Sequence, residues 1–203
     1  VEPFVALGVG LQNAGYAVRL AAPAPFAGFA ARYGLDFAPI EGNPDELAAG
    51  MDGCFLLITN QYEFEMIRDK TGWSETMILD RTGGLITTRG DAGSRLIIAG
   101  EKHEIPVVPP RHVADPTGVG DAFRGGLLRG YSLGLPWDLA GRMGSLAATY
   151  VLEELGTQSH MYTRSEFVAR FRAHFDDRGA LDALLEATDT ESTTARLTNP
   201  SKE

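Results

Sequence analysis

The chain has 203 residues, of which 44% are hydrophobic and 22% charged, and a formal net charge of −9. That is ordinary globular usage, enough for one good core or two small ones. The negative balance argues against nucleic acid or an anionic membrane as the main partner.

The chain opens inside what reads as the start of a helix. Pro3 suits a first turn, and Phe4, Leu7 and Leu11 share one face at helical spacing. Gly15 stops that helix, and residues 16–21 alternate into a short strand. A second helix over about 25–33 ends at Gly34, before a strand over 35–40. This αβαβ run predicts part of a parallel sheet whose opening strand lies upstream of Val1. Residues 43–53 read as a short polar, Gly-containing join.

From Cys54 the pattern restarts with a buried strand over 55–59 and a helix near 62–70. Cys54 is the only cysteine, so neither an intrachain disulfide nor a thiolate metal cluster can form, and it reads as a buried strand residue. Ser74 caps a short helix. Residues 84–88 form a strand, and Asp91-Ala92-Gly93 turns into another over 94–99. A further strand fits 104–108, before Pro109-Pro110.

The loop 114–120 opens a helix that runs towards Leu133 and stops at Gly134. Pro136 starts the next, which ends near Leu155 at Gly156. The capping box Thr163 to Glu166 starts a last helix with Phe167, Phe171 and Phe175. Residues 178–203, aperiodic after Asp189, read as a largely disordered tail. No apolar run approaches the roughly 20 residues of a bilayer span, and no leader pattern is present. A cytoplasmic location is the expectation. His103, His112, His160 and His174 are scattered without ligand spacing.

The stretch with most chemical content is Asp115-Pro116-Thr117-Gly118-Val119-Gly120-Asp121-Ala122-Phe123. Glycines entering a helix let backbone N–H groups approach an anion, and the helix N-terminus adds partial positive charge. Asp121 falls at the helix start, where a carboxylate can take a proton from an attacking hydroxyl.

This string resembles the Asp-x-Thr-Gly-x-Gly-Asp-x-Phe motif of the ribokinase-like, phosphofructokinase-B type carbohydrate and nucleoside kinases. Asn60-Gln61-Tyr62-Glu63 resembles the family's Asn-x-x-Glu motif, and Thr88-Arg89-Gly90-Asp91-Ala92-Gly93-Ser94 its Thr-x-Gly-x-x-Gly turn. Residues 113–158 look most like bacterial adenosine kinases. Gly144-Ser145-Leu146-Ala147-Ala148 and Gly156-Thr157-Gln158 would there flank the adenine.

The resemblance implies an incomplete ribokinase-like α/β fold over residues 52–177, a Rossmann-like parallel sheet flanked by helices. It implies an ATP-dependent phosphotransferase acting on a hydroxyl of a small-molecule sugar or nucleoside such as adenosine. Asp121 would be the catalytic base. Gly118, Val119 and Gly120 would form the anion hole, with Thr88, Gly90 and Gly93 against the ATP phosphates. Asn60 and Glu63 would hold Mg2+ through water. In relatives that use a monovalent cation such as potassium, Asp115 would help to bind it. Arg124 reads equally as a phosphate-steering residue or a solvated helix residue. No nucleic-acid or membrane partner is implied, and a homo-oligomer is left open.

Nothing over 1–53 fits the early Gly-Gly motif of those kinases. Val1 to Gly8, Ala14 to Ala21 and Gly34 to Ile40 instead resemble the acceptor domain of sterol- and macrolide-type glycosyltransferases. That segment, 1–48, is expected to carry no glycosyl-transfer chemistry. The chain reads as a fusion of two incomplete enzymes joined near 49–53. The alternatives to a kinase are a glycosyltransferase-related acceptor module and a non-catalytic nucleotide-binding fragment.

Overall fold

The computed structural model of the chain describes residues 2–13, 15, 17–22, 26–39 and 44–186. Two compact units divide the chain, residues 1–160 and 161–203.

The first unit begins with helix α1 (Glu2–Asn13), strand β1 (Arg19–Ala22), helix α2 (Ala27–Arg32) and strand β2 (Asp36–Pro39). The expected αβαβ order is present, and β1 and β2 pair in parallel with Leu20 opposite Phe37. Gly15 and Gly34 take φ values of +88° and +66° where the two helices stop, a conformation that favours glycine. Val5, Ala30 and Leu35 are the buried core of this segment, with Val9, Val18, Leu20, Phe29 and Phe37 packed on it. The side chains of Phe4 and Leu7, and residue Tyr16, lie outside the described residues. These two strands were expected to extend a larger sheet. Among the described residues they form a two-stranded sheet of their own.

The join expected over 43–53 is corrected by helix α3 (Pro44–Met51). Pro44 pre-sets the first-turn geometry, and Asp45 and Glu46 face the positive end of the helix. Met51 is buried with Phe64, Ile67, Ile78 and Leu85, so the segment belongs to the core that follows it. The glycines at 50 and 53 mimic a loop. Gly53 has φ +73° and donates its N–H to the Arg81 carbonyl at 2.9 Å. Cys54, expected within a buried strand, precedes the strand and is half-buried. Burial pushes its thiol up.

Next come β3 (Leu57–Asn60), α4 (Gln61–Thr71), α5 (Glu75–Leu79), β4 (Gly84–Thr88), β5 (Ser94–Ile98) and β6 (Glu101–Ile105). They form a four-stranded sheet in the order β3-β4-β5-β6. Helices α6 (Val119–Ser132) and α7 (Trp137–Leu152) complete the unit. One face of the sheet presents Leu57 and Leu85 to the cluster holding Phe64 and Ile67 of α4 and Ile78 of α5. The other presents Ile86, Leu96, Ile98 and Ile105 to Phe123 and Leu127 of α6. This is the expected α/β class, with a sheet between layers of helices.

Parallel strands were expected throughout 54–177. The parallel order is confined to β3 and β4, and β5 and β6 run antiparallel. The reasons are local: the turn at Gly90–Ala92 reverses the chain between β4 and β5, and Ala99 and Gly100, at φ +52° and +80°, make a two-residue hairpin turn between β5 and β6. Alanine gives no sequence signal for such a turn, so the last strand begins at Glu101 rather than at 104.

In the second unit, Thr163 caps helix α8 (Arg164–His174), and both halves of the expected capping box are made. Phe167 and Phe171 are buried. Asp177 accepts from Arg172 at 2.8 Å and from the Leu181 amide at 3.1 Å, starting the turn into α9 (Asp182–Glu186). Of the expected tail, residues 178–186 therefore carry a helix and a buried Leu181. Residues 187–203 lie outside the described residues. No helix among the described residues is long and apolar enough to cross a membrane.

Candidate active site

Strand β3 delivers Asn60 to the start of α4. Its side chain accepts from the Glu63 amide at 2.8 Å, and Glu63 Oε2 accepts from the Asn60 amide at 2.8 Å. Both side chains of the Asn-x-x-Glu motif thus close a reciprocal capping box. Asn60 lies opposite Thr88 in the parallel register, and the Thr88 hydroxyl donates to the Thr59 carbonyl at 3.5 Å. Both residues stand at the carboxyl ends of parallel strands, where ligands of open α/β sheets bind.

Beyond Thr88 the chain turns through a single helical turn at Gly90–Ala92. Gly90 and Gly93 have φ values of +59° and +80°, the latter with ψ −140°. A Cβ on Gly93 would overlap the Ile105 carbonyl. The need for glycine there is set by packing, without a ligand.

The loop before α6 is held at several points. Val108 and Arg111 donate their amides to Ser145 of α7 and to Glu153 at its C-terminal cap, at 3.2 and 2.6 Å. The Ser145 and Thr149 hydroxyls donate to the Pro106 and Val108 carbonyls at 2.8 and 2.9 Å. Ala114 donates to the Leu152 carbonyl at 2.9 Å. Helix α7 therefore works as a ruler along 106–114. Sequence reasoning missed that role; the polar residues at four-residue spacing, Ser145, Thr149 and Glu153, were its one signal. Gly144 and Ser145, expected beside adenine, are buried in this packing. A Cβ on Gly144 would lie 2.7 Å from the Phe123 carbonyl.

Asp115 fixes the loop itself. Its Oδ1 accepts from the Thr117 amide at 2.9 Å and its Oδ2 from the Gly156 amide at 3.1 Å. The Thr117 hydroxyl, then the two amides, hold this carboxyl below the usual carboxylate range. Gly118 takes φ +83° as the cap of α6, and a Cβ there would sit 2.9 Å from Thr157. No side chain caps α6, whereas Asn60, Ser74 and Thr163 cap α4, α5 and α8. Its first-turn amides therefore lack intrahelical partners.

Asp121 lies in that first turn, as expected, with its side chain 39% exposed. Its Oδ1 accepts from Arg124 Nη1 at 3.0 Å, and Arg124 Nη2 stands 4.0 Å from Glu63 Oε2. Arg124 is therefore held between two carboxylates and is not a solvated helix residue. A Cβ on Gly120 would meet nothing within 4 Å except Arg124 Nη1, at 3.7 Å. Two motifs about sixty residues apart in sequence meet through this one guanidinium. Val119 opens α6 beside them; Asp115, Gly90 and Gly93 serve the local backbone.

Among the described residues, no group of three or more His, Cys, Asp or Glu side chains is placed to hold a metal ion. Asn60 and Glu63 each use one side-chain oxygen in the capping box. They fit a divalent cation held through water rather than by direct coordination.

Comparison with known proteins agrees with the arrangement. The model of the pfkB family carbohydrate kinases matches residues 20–164. The nucleoside kinase of Methanocaldococcus jannaschii is 34% identical over 119 residues, 59% of this chain and 39% of that protein. The structure of Burkholderia thailandensis nucleoside kinase in complex with ADP-inosine aligns with a TM-score of 0.67 and 36% identity, over 77% of this chain and 53% of that one. The chain thus spans less than half the length of that curated kinase. A shorter match, 47% identical over 51 residues, is to a sterol 3-beta-glucosyltransferase of Arabidopsis thaliana and covers 25% of this chain but 8% of that enzyme.

Proposed function

The chain belongs to the pfkB family of carbohydrate kinases, and from that premise we propose that residues 52–177 carry the nucleotide-side, catalytic part of an ATP-dependent nucleoside kinase. The fold is the ribokinase-like α/β fold. Residues 1–48 are proposed as a separate segment without chemistry of its own. The likeness to nucleoside kinases, one of them solved with ADP-inosine, supports a nucleoside acceptor, and adenosine is the candidate to try first.

The observation that carries this reading is the meeting of Asp121, Glu63 and the Gly120 backbone around Arg124. In the proposed reaction the acceptor hydroxyl gives its proton to the Asp121 carboxylate. Its oxygen forms a bond to the γ-phosphorus while the bond to the bridging oxygen breaks, and ADP leaves with that electron pair. The amides opening α6, at Gly118 and Gly120 and at Val119 once it leaves its 3.4 Å bond to the Pro116 carbonyl, would hold phosphoryl oxygens as the transferring group changes geometry. Thr88 and the turn at Gly90 would border the remaining phosphates.

Asn60 and Glu63 would hold magnesium through water, and the ion would neutralise phosphate charge. Asp115 fits a potassium site less well, because both of its oxygens already accept from the loop and from Gly156. Its proposed role is to brace the anion loop.

The test is calorimetric titration of MgATP into the parent chain and two variants, alongside a transfer assay with adenosine. Asp121→Asn removes the base and a negative charge near the phosphates. It is expected to lower transfer by about 10²- to 10⁴-fold and to leave MgATP affinity unchanged or slightly tighter. Gly120→Val places a side chain where the phosphate would approach and is expected to weaken binding. Equal affinity in the parent and Gly120→Val would remove the loop from the phosphate site and sink the proposal.

A further inference from the structure

We infer that Arg124 is a positioning residue that hands its guanidinium from Asp121 to the incoming phosphate; this rests on the site proposed above. Its side chain is 23% exposed, with Nη1 on Asp121 at 3.0 Å and Nη2 4.0 Å from Glu63. The open volume over Gly120 is bounded on this side by the same Nη1. A phosphate oxygen entering that volume comes within reach of a planar, always-charged donor matched to phosphate geometry.

Charge makes the handover necessary. Asp121 and Glu63 place two negative groups beside the loop that must receive a polyanion. Arg124 offsets the two carboxylates and donates to Asp121 Oδ1. When phosphate takes over an Nη1–H, Asp121 Oδ1 is released from that hydrogen bond.

An arginine is needed because two separate nitrogens address two carboxylates at once. Lysine has one nitrogen. It would supply the charge without bridging Asp121 and Glu63.

The test compares the parent, Arg124→Gln and Arg124→Lys by calorimetric titration with MgATP. In parallel, the arginine side-chain N–H signals are followed by NMR, with the Arg124 signal identified by its loss in Arg124→Gln. Arg124→Gln is expected to bind MgATP about tenfold more weakly, the loss of a hydrogen bond to a charged group. Arg124→Lys should recover part of that affinity. The Arg124 signal in the parent should move on adding MgATP and stay in place on adding adenosine, which has no phosphate. A purely structural arginine would not discriminate between these two additions. MgATP binding by the parent that is unchanged in Arg124→Gln, or an Arg124 signal that MgATP leaves in place, overturns this inference alone. A parent that does not bind MgATP overturns the site proposal, and this inference with it.

Discussion

The opening αβαβ segment and the four-stranded region after it are both α/β, and the proposed site draws its residues from the second. The short glycosyltransferase match has the higher percentage identity, 47% over 51 residues against 34% over 119 for the nucleoside kinase. The sheet of the opening segment has two strands and its buried core is Val5, Ala30 and Leu35. Two paired strands are marginal in water without more packing. The four-stranded region buries one cluster on each face of its sheet and can hold a loop, a helix start and two carboxylates in register. Local identity reports a shared supersecondary unit. Function depends on whether enough packed structure surrounds the reacting groups.

Backbone strain is the sharpest way to separate the two regions. Gly93→Ala would require φ +80° of a residue with a side chain and drive its Cβ into the Ile105 carbonyl. The contact is backbone, so neither partner can swing away. We expect a loss of more than about 3 kcal/mol, read as a large drop in the denaturant midpoint. A near-parent midpoint would mean that the β4–β5 turn yields easily, and the four-stranded region would lose its claim to be the rigid one.

The β4–β5 turn was legible in the sequence, whereas the next one, at Ala99 and Gly100, was not. The motif residues could be placed because their spacing is local: Asn60 before a helix, Gly118 to Asp121 opening one. The capping box at Asn60 and Glu63 follows from the same tetrapeptide that carries the kinase resemblance, so sequence could not separate its two uses. Helix α3 was hidden by Gly50 and Gly53, and its propensity was decided by Met51 finding a core. The early start of β6 turned on Ala99 taking a left-handed conformation, for which alanine gives no signal. Arg124 had two readings because its partners lie on different elements. Only the assembled fold brings Glu63 to it.

Ion pairs offer a second, milder comparison, between the opening segment and the carboxy-terminal unit. Arg19 and Asp36 pair at 2.7 Å across β1 and β2, with side chains 69% and 58% exposed. Arg172 and Asp177 pair at 2.8 Å, but the Asp177 side chain is 6% exposed and also accepts backbone amides. The Arg172 guanidinium, and to a lesser degree those amides, hold Asp177 below the usual carboxylate range. Its folded-state pKa is depressed, so its contribution is present above the unfolded value of about 3.9 and is lost as pH falls through the folded value. Asp177→Asn should cost about 1–2 kcal/mol at pH 7, the low end for charge-assisted bonds because Arg172 is partly solvated. The gap between parent and variant should close in denaturant melts as pH drops below about 4. Asp36→Asn should leave the melts unchanged within error at 0.15 M salt. A variant gap that persists at pH 2 would assign the Asp177 effect to shape rather than charge.

The smallest effect lies within α1, where two glycines differ. Gly10 is exposed, and a Cβ there meets nothing within 4 Å. Alanine favours a helix interior over glycine by roughly 0.8–1 kcal/mol, so Gly10→Ala should stabilise α1 by about 0.5–1 kcal/mol. Gly8 is buried, and its Cβ would come within 3.1 Å of both Leu35 methyl groups and 3.4 Å of Val18. Leu35 is one of three residues in that core and has little room to retreat, so Gly8→Ala should lose what the helix gains. Because the opening segment has the thinner packing, it is expected to open before the four-stranded sheet. Hydrogen exchange over residues 2–39 should slow by about two- to fivefold in Gly10→Ala, while exchange over 84–105 stays as in the parent. If both stretches slow together, the two regions open as one cooperative unit. The higher local stability assigned to the four-stranded region would then be wrong.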